Sequence, residues 1–85
     1  MRYTLEFTAS AAQEFRALDR QRQRRISTKV LELADDPFPV ECESFKDEED
    51  HWRIRVGDYP IIYRVEKRRV VIVIARIGHR REVYR

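Results

Sequence analysis

Apolar and polar residues alternate most regularly in the middle of the chain. Trp52, Ile54 and Val56 alternate with Arg53 and Arg55, which is the period-two pattern of a β-strand that buries one face. The two guanidinium groups are therefore expected on the opposite face of that strand. Cations held at a fixed spacing on a rigid surface suit a polyanionic ligand.

The first half of the chain predicts one strand and two helices. Residues 2–7 alternate as a strand, and apolar residues then recur at helical spacing, after a cap at Thr8 or at Ser10 with Gln13. The first helix is expected to end near Asp19. A second helix is expected from about residue 20 to residue 34, where Pro37 prevents its continuation. Its apolar stripe consists of Ile26, Val30, Leu33 and Ala34.

The second half of the chain predicts strands joined by short turns. Residues 35–50 are loop-like and hold a short strand at 44–46, and Gly57-Asp58 and Lys67-Arg68 are turn signals. Residues 59–66 form one strand, and the wholly apolar run 70–75 predicts a central strand that is buried on both faces. The fold class is therefore α+β in the order β-α-α-β-β-β-β, with a helical hairpin on one face of a largely antiparallel sheet, in one domain of residues 1–85.

Strand parity separates the aromatic side chains from the basic ones. Trp52, Tyr59 and Tyr63 share the side that is expected to face the helices, so they are predicted to be core residues rather than platforms for nucleobases. Pro60 and Arg64 have the opposite parity. They are expected on the same face as the arginines of the preceding strand.

Charge is unevenly distributed along the 85 residues, although the formal net charge is only +3. Residues 1–31 carry seven Lys/Arg and three Asp/Glu, residues 32–50 carry one and nine, and residues 51–85 carry ten and three. An anionic partner is therefore expected at the C-terminal third. The arginines of the second helix at 20, 22, 24 and 25 read as a solvated helix face that could add phosphate contacts.

Cysteine content and hydropathy favour a cytoplasmic location. Cys42 has no second cysteine to pair with, which suits a reducing compartment, and no secretory leader or membrane-spanning stretch is recognisable. The acidic run 47–50 lacks the spaced oxygen ligands of a cation loop and reads as a solvated turn. We therefore expect no metal, no cofactor and no membrane partner.

Several motifs in order resemble the RelE/ParE superfamily of bacterial toxins, and more closely its RelE-like branch of ribosome-dependent mRNA endonucleases. They are the opening strand at 3–7, Ala-x-x-Glu-Phe-x-x-Leu at 11–18, Arg-Ile-x-x-Lys-Val at 25–30, Asp-Pro at 36–37, Trp-Arg-Ile-Arg-Val-Gly-Asp-Tyr at 52–59, Ile-Ile-Tyr at 61–63 and Ile-Gly-His-Arg-Arg-Glu-Val-Tyr at 77–84. The set covers nearly the whole chain. It is specific to the superfamily and less so to the nuclease branch, because gyrase-poisoning relatives share the helical-hairpin motif.

The resemblance implies a metal-free catalytic site of basic residues and a tyrosine. The matching positions in this sequence are Arg53, Arg55, Arg80 and Tyr84. One position departs from the family pattern, since Pro60 occupies a place where relatives carry arginine. The proline removes a cation and a backbone N–H, for which Arg64 or Arg81 would have to substitute.

The resemblance also implies the reaction and the partners. Messenger RNA in the ribosomal A site would be cleaved by attack of a ribose 2′-hydroxyl on the adjacent phosphate, leaving a 2′,3′-cyclic phosphate. Fixed guanidinium groups can position the phosphate and stabilise the extra negative charge of the transition state. Arginine stays protonated and tyrosine has an unperturbed pKa near ~10, so His79 is the other candidate proton carrier. The partners implied are ribosomal RNA, mRNA and a cognate antitoxin.

Two alternatives remain at the sequence level. One is a gyrase poison of the same fold, which would not cut RNA. The other is a catalytically inactive homologue that binds the antitoxin or the ribosome, and Pro60 is the residue that favours it.

Overall fold

The structure is a computed structural model that describes residues 2–44 and 50–78. Its elements follow the order β-α-α-β-β-β-β, which confirms the predicted fold class. In chain order they are β1 (Thr4–Phe7), α1 (Ala9–Arg16), α2 (Arg20–Asp35), β2 (Glu43–Ser44), β3 (His51–Val56), β4 (Tyr59–Glu66) and β5 (Val71–Ile77).

The strands form one sheet in the order β1-β5-β4-β3-β2. The three pairings among β2, β3, β4 and β5 are antiparallel, and β1 pairs with β5 in parallel. The two helices pack on one face of this sheet. The core between them contains Ala11, Ile26, Val30, Leu33, Ile54, Ile61, Tyr63, Val65, Ile72, Ile74 and Ile77.

Side-chain caps fix where the helices begin. The Thr8 hydroxyl accepts a hydrogen bond from the Ala11 amide at 3.1 Å and donates one to the Ala75 carbonyl at 2.8 Å, so the first helix starts earlier than Ser10. This helix ends at Arg16, before the expected end near Asp19. The Asp19 carboxylate instead accepts from the Arg22 amide at 2.8 Å and caps the second helix.

The two turns that join β3, β4 and β5 use left-handed backbone conformations. Gly57 has φ +60° at the first position of a two-residue turn, which is where a type II′ turn places glycine. Val70 has φ +55°, a conformation that is strained for a β-branched residue. It therefore belongs to the turn, and β5 begins at Val71 rather than at Val70 as the sequence suggested.

Strand β5 is buried on both faces, as its continuous apolar run predicted. Ile72 and Ile74 are 0% exposed on the helix-packed face, and Val71 and Val73 are 6% exposed on the other. Strand β5 lies between β1 and β4, so it is an interior strand of the sheet, as predicted.

Candidate functional site

The candidate site lies on the face of the sheet that points away from the helices, which we call the basic face. Register places Arg53 opposite Ile62 and Arg55 opposite Pro60 on the adjacent strands β3 and β4. Directly paired side chains of antiparallel strands lie on the same face, about 4.5–5.5 Å apart at Cβ. Ile54, which lies between the two arginines in sequence, is only 1% exposed and packs toward the helices.

Arg53 is held by an acidic partner that the sequence did not reveal. Its guanidinium forms an ion pair and hydrogen bond with the Glu43 carboxylate of β2, and the register pairs these two residues directly. The hydrogen bond from Arg53, with a smaller contribution from the charge of Arg55, holds the pKa of Glu43 below its usual range. Glu43 therefore fixes the orientation of Arg53 and competes with any phosphate that approaches it. The sequence placed Glu43 in the acid-rich stretch 32–50 but did not indicate its partner.

Pro60 is buried, although its parity places it on the basic face as expected. It is among the side chains with less than 2% exposure, and Ile62 beside it on the same face is 4% exposed. The basic face is therefore closed to solvent at this position. A larger residue at position 60 would have to displace the groups that cover it.

The missing N–H of Pro60 does not break the pairing of β3 with β4. The Pro60 carbonyl accepts a hydrogen bond from the Gly78 amide at 3.2 Å, on the side away from β3. In a strand the N–H and C=O of one residue point to the same side, so the proline nitrogen also faces away from β3. This position tolerates proline because β5 has already ended at Ile77.

Arg64 is too far along β4 to replace a cation at position 60. Four residues separate the two positions, which is about 13 Å along a strand. Its guanidinium donates to the Glu66 carboxylate at 2.6 and 3.1 Å, and Arg69 donates to Glu66 at 2.7 Å. These two arginines hold the pKa of Glu66 below its usual range. The structure therefore gives Arg64 a place in an ion-pair network opposite His51, at the far end of β3.

Four of the predicted site residues lie outside the described residues. They are His79, Arg80, Arg81 and Tyr84. They directly follow Gly78, which is buried and bonded to Pro60. Their proposed roles stay predictions.

The aromatic residues of β3 and β4 have the positions that strand parity predicted. Tyr63 is 0% exposed and its hydroxyl donates to the Pro37 carbonyl at 2.8 Å. Burial raises the pKa of the Tyr63 phenol above its usual range, so this group does not act as a base. Trp52 packs edge-on against Phe38 with ring centroids 5.0 Å apart, and Tyr59 packs against the core beneath Arg22.

Neither a metal centre nor a membrane span is found in the described part of the chain. Within residues 2–44 and 50–78, no three His, Cys, Asp or Glu side chains lie close enough together to hold a metal ion. Neither helix in those ranges has the length and apolar character that crossing a bilayer requires.

Comparisons with known proteins agree with the fold. The family model described as "ParE toxin of type II toxin-antitoxin system, parDE" matches residues 5–84. Toxin RelG of Mycobacterium tuberculosis is 29% identical over 90 residues, which cover 100% of this chain and 99% of that protein.

Solved structures of RelE toxins have the same architecture. The RelE–RelB complex of Pyrococcus horikoshii OT3 matches with a TM-score of 0.82 and 26% identity, covering 94% of this chain and 97% of the other. A double arginine-to-alanine mutant of Escherichia coli RelE in the free state matches with a TM-score of 0.84 and 25% identity, covering 99% and 92%. The chain therefore belongs to the ParE toxin family of type II toxin–antitoxin systems, within the RelE/ParE superfamily.

Proposed function

We propose that this toxin is a ribosome-dependent endonuclease that cleaves mRNA in the A site without a metal ion. The observation that carries the proposal is the basic face, where Arg53 and Arg55 are held by a rigid strand on the side of the sheet opposite the helices. The similarity to RelE toxins supports the same reading.

The proposed reaction is an in-line attack of a ribose 2′-hydroxyl on the adjacent phosphorus. The 2′-oxygen forms a bond to phosphorus as the 5′-oxygen of the next nucleotide leaves, which gives a 2′,3′-cyclic phosphate and a 5′-hydroxyl. Arg53, Arg55 and Arg80 bind the phosphate and stabilise the added negative charge of the transition state. Tyr84 stacks a base or relays a proton, and His79 is the candidate proton carrier.

The position of Gly78 supports the placement of these groups. Its amide donates to the Pro60 carbonyl, and Pro60 is directly opposite Arg55 in the register. The segment that carries Arg80 therefore starts from the end of β4 that adjoins Arg55. This starting point supports the proposal that Arg80 acts together with Arg53 and Arg55.

A cognate antitoxin is the second partner that we propose. A basic face is complementary to an acidic segment that folds on binding and covers the arginines. The similar archaeal toxin was solved with its RelB partner, which supports this assignment. In this arrangement the antitoxin and the RNA compete for the guanidinium groups of Arg53 and Arg55 on the basic face.

Arg80→Ala tests the proposal most directly. We expect this substitution to abolish ribosome-dependent cleavage, measured by primer extension on a translated message, and to leave antitoxin affinity nearly unchanged. Arg16→Ala is the matched control, because Arg16 is an exposed arginine of α1 away from the basic face. Unchanged cleavage in the Arg80 variant would remove that residue from the site.

Two observations keep other functions in view. The matched family model is that of ParE, so a DNA supercoiling assay on gyrase should show no inhibition if the nuclease proposal is right. The burial of Pro60 and the pairing of Arg53 with Glu43 both weaken the cationic site, and they favour an inactive binder as the second candidate. Antitoxin binding without any RNA cleavage would establish that candidate.

A further inference from the structure

A separate cavity lies between the start of α2 and the turn that joins β3 to β4. It measures about 130 Å³, well above the roughly 10–15 Å³ that one water molecule needs, so it has room for a flat ring. We call it the α2–turn pocket. Its lining consists of Arg22, Arg25, Ile26, Val56, Gly57, Asp58 and Tyr59.

One wall of the pocket is a guanidinium–aromatic pair. The Arg22 guanidinium lies over the Tyr59 ring at 5.7 Å from its centroid. Asp19 forms an ion pair with the same guanidinium at 2.5 Å, which favours this orientation. Guanidinium planes and aromatic rings are the surfaces on which proteins stack unpaired RNA bases.

A second cation stands beside the turn with no ion pair to any described residue. Two terminal nitrogens of Arg25 lie 3.8 and 3.9 Å from the place that a Cβ on Gly57 would occupy. Because Gly57 has no side chain, the Arg25 guanidinium lies next to the bare backbone of the turn. It is therefore available to bind a phosphate.

Asp58 decides which kind of ligand fits. A carboxylate repels a phosphate, so it would weaken a pocket that bound phosphate alone. An ionised aspartate accepts hydrogen bonds, so it can bind the N–H groups of a base. Guanine presents two neighbouring N–H donors on one edge, which a carboxylate can accept together. The apolar side chains of Ile26 and Val56 suit the faces of such a ring.

We infer that the α2–turn pocket binds an unpaired guanine nucleotide of RNA. The base stacks on the Arg22–Tyr59 pair and donates to Asp58, and its phosphate binds Arg25. This inference rests on the proposed action on RNA. It concerns a contact on the helix side of the sheet, separate from the arginines of the basic face.

The two glycines of the chain make the test specific. Gly57 lies in the pocket and Gly78 adjoins the basic face, and the sequence has no other glycine. Their backbone amides can be followed in one NMR titration with 5′-GMP, 5′-UMP and a short single-stranded RNA that contains guanine. We expect 5′-GMP to shift the Gly57 amide at lower concentration than 5′-UMP does.

Substitutions separate this pocket from the basic face. Arg25→Gln should weaken 5′-GMP binding about tenfold, the equivalent of one charge-assisted hydrogen bond, and the charge-matched Arg24→Gln should leave it unchanged. Asp58→Asn should also weaken 5′-GMP binding. If Asp58→Asn tightens the binding of both nucleotides, the pocket binds only phosphate and the guanine assignment is overturned.

The outcomes distinguish this inference from the proposed function. If RNA shifts the amide signal of Gly78 but not that of Gly57, the pocket inference is overturned and the proposed function stands. If RNA shifts the amide signal of Gly57 but not that of Gly78, the result supports the pocket inference and counts against RNA binding at the basic face. If RNA shifts neither amide signal and neither nucleotide shifts that of Gly57, the pocket inference is wrong.

Discussion

The two faces of the sheet are organised by different forces. On the helix-packed face, Ile54, Tyr63 and Ile72 are at most 1% exposed and their positions follow from burial of apolar area. On the basic face, Arg53 is positioned by Glu43, a residue that is distant from the pattern that predicted the strand. Burial therefore places the side chains of the helix-packed face, whereas Arg53 on the basic face is oriented by a charge pair that a ligand can replace.

Removing a core side chain should give the largest effect on stability. Ile72→Ala removes a 0% exposed side chain from the centre of the sheet and should lower the free energy of unfolding by about 3 kcal/mol. Urea denaturation measures this change in the free energy of unfolding. Arg55→Ala, on an exposed position of β3, is the comparison and should change stability by less than about 0.5 kcal/mol. Similar losses in the two variants would contradict the division between the faces.

Pro60→Arg tests a position on the basic face that is as buried as the core. A guanidinium opposite Arg55 should raise RNA cleavage on the order of 10²-fold, as one well-placed charge-stabilising group does. Because Pro60 is buried, the substitution should also lower stability, unlike a change at an open position. A ribosome-dependent cleavage time course and a denaturation curve measure the two effects.

Pro60→Ala is the control for that experiment. It restores the backbone N–H without adding charge, so it should leave cleavage close to the level of the proline form. Equal rates in the proline and arginine forms would show that the missing cation does not limit the reaction. An alanine variant as active as the arginine variant would assign the effect to the backbone.

The double substitution Arg53→Ala with Arg55→Ala should change the salt dependence of ribosome binding. Losing two phosphate contacts should reduce the slope of log affinity against log salt by about 1.5. Arg16→Ala with Arg68→Ala removes the same charge from other exposed positions and should leave the slope nearly unchanged. A ribosome affinity of the original protein that does not depend on salt would refute electrostatic binding at the basic face.

The sequence was informative where burial decides the structure. Alternation along β3 and β4 correctly placed Trp52, Tyr59 and Tyr63 against the helices, and Pro37 correctly marked the end of α2. These features follow from local periodicity and backbone chemistry. They require no knowledge of which segments meet.

Features that depend on distant pairing could not be predicted in this way. The contact of Glu43 with Arg53 exists because β2 pairs with β3, and only two residues form that strand. The burial of Pro60 likewise depends on what surrounds the end of β4, which parity does not specify. The α2–turn pocket joins a helix to a turn more than 30 residues later, and neither segment signals the other.

Glu43→Gln should give the smallest effect, and it tests whether the acidic partner restrains the basic face. Because Arg53 lowers the pKa of Glu43, the ion pair stabilises the fold above the unfolded pKa of glutamate, near ~4.3, and this contribution is lost as the pH falls through the lower folded value. The stability difference between the original protein and Glu43→Gln should therefore shrink from pH 6 to pH 3. At neutral pH the variant should bind RNA more tightly, because Arg53 no longer has a competing carboxylate. Glu41→Gln is the matched control, since Glu41 also has a lowered pKa but pairs with Lys29 of α2 at 3.0 Å. It should show the same trend with pH and no gain in RNA affinity, so an equal gain in both variants would mean that only net charge matters.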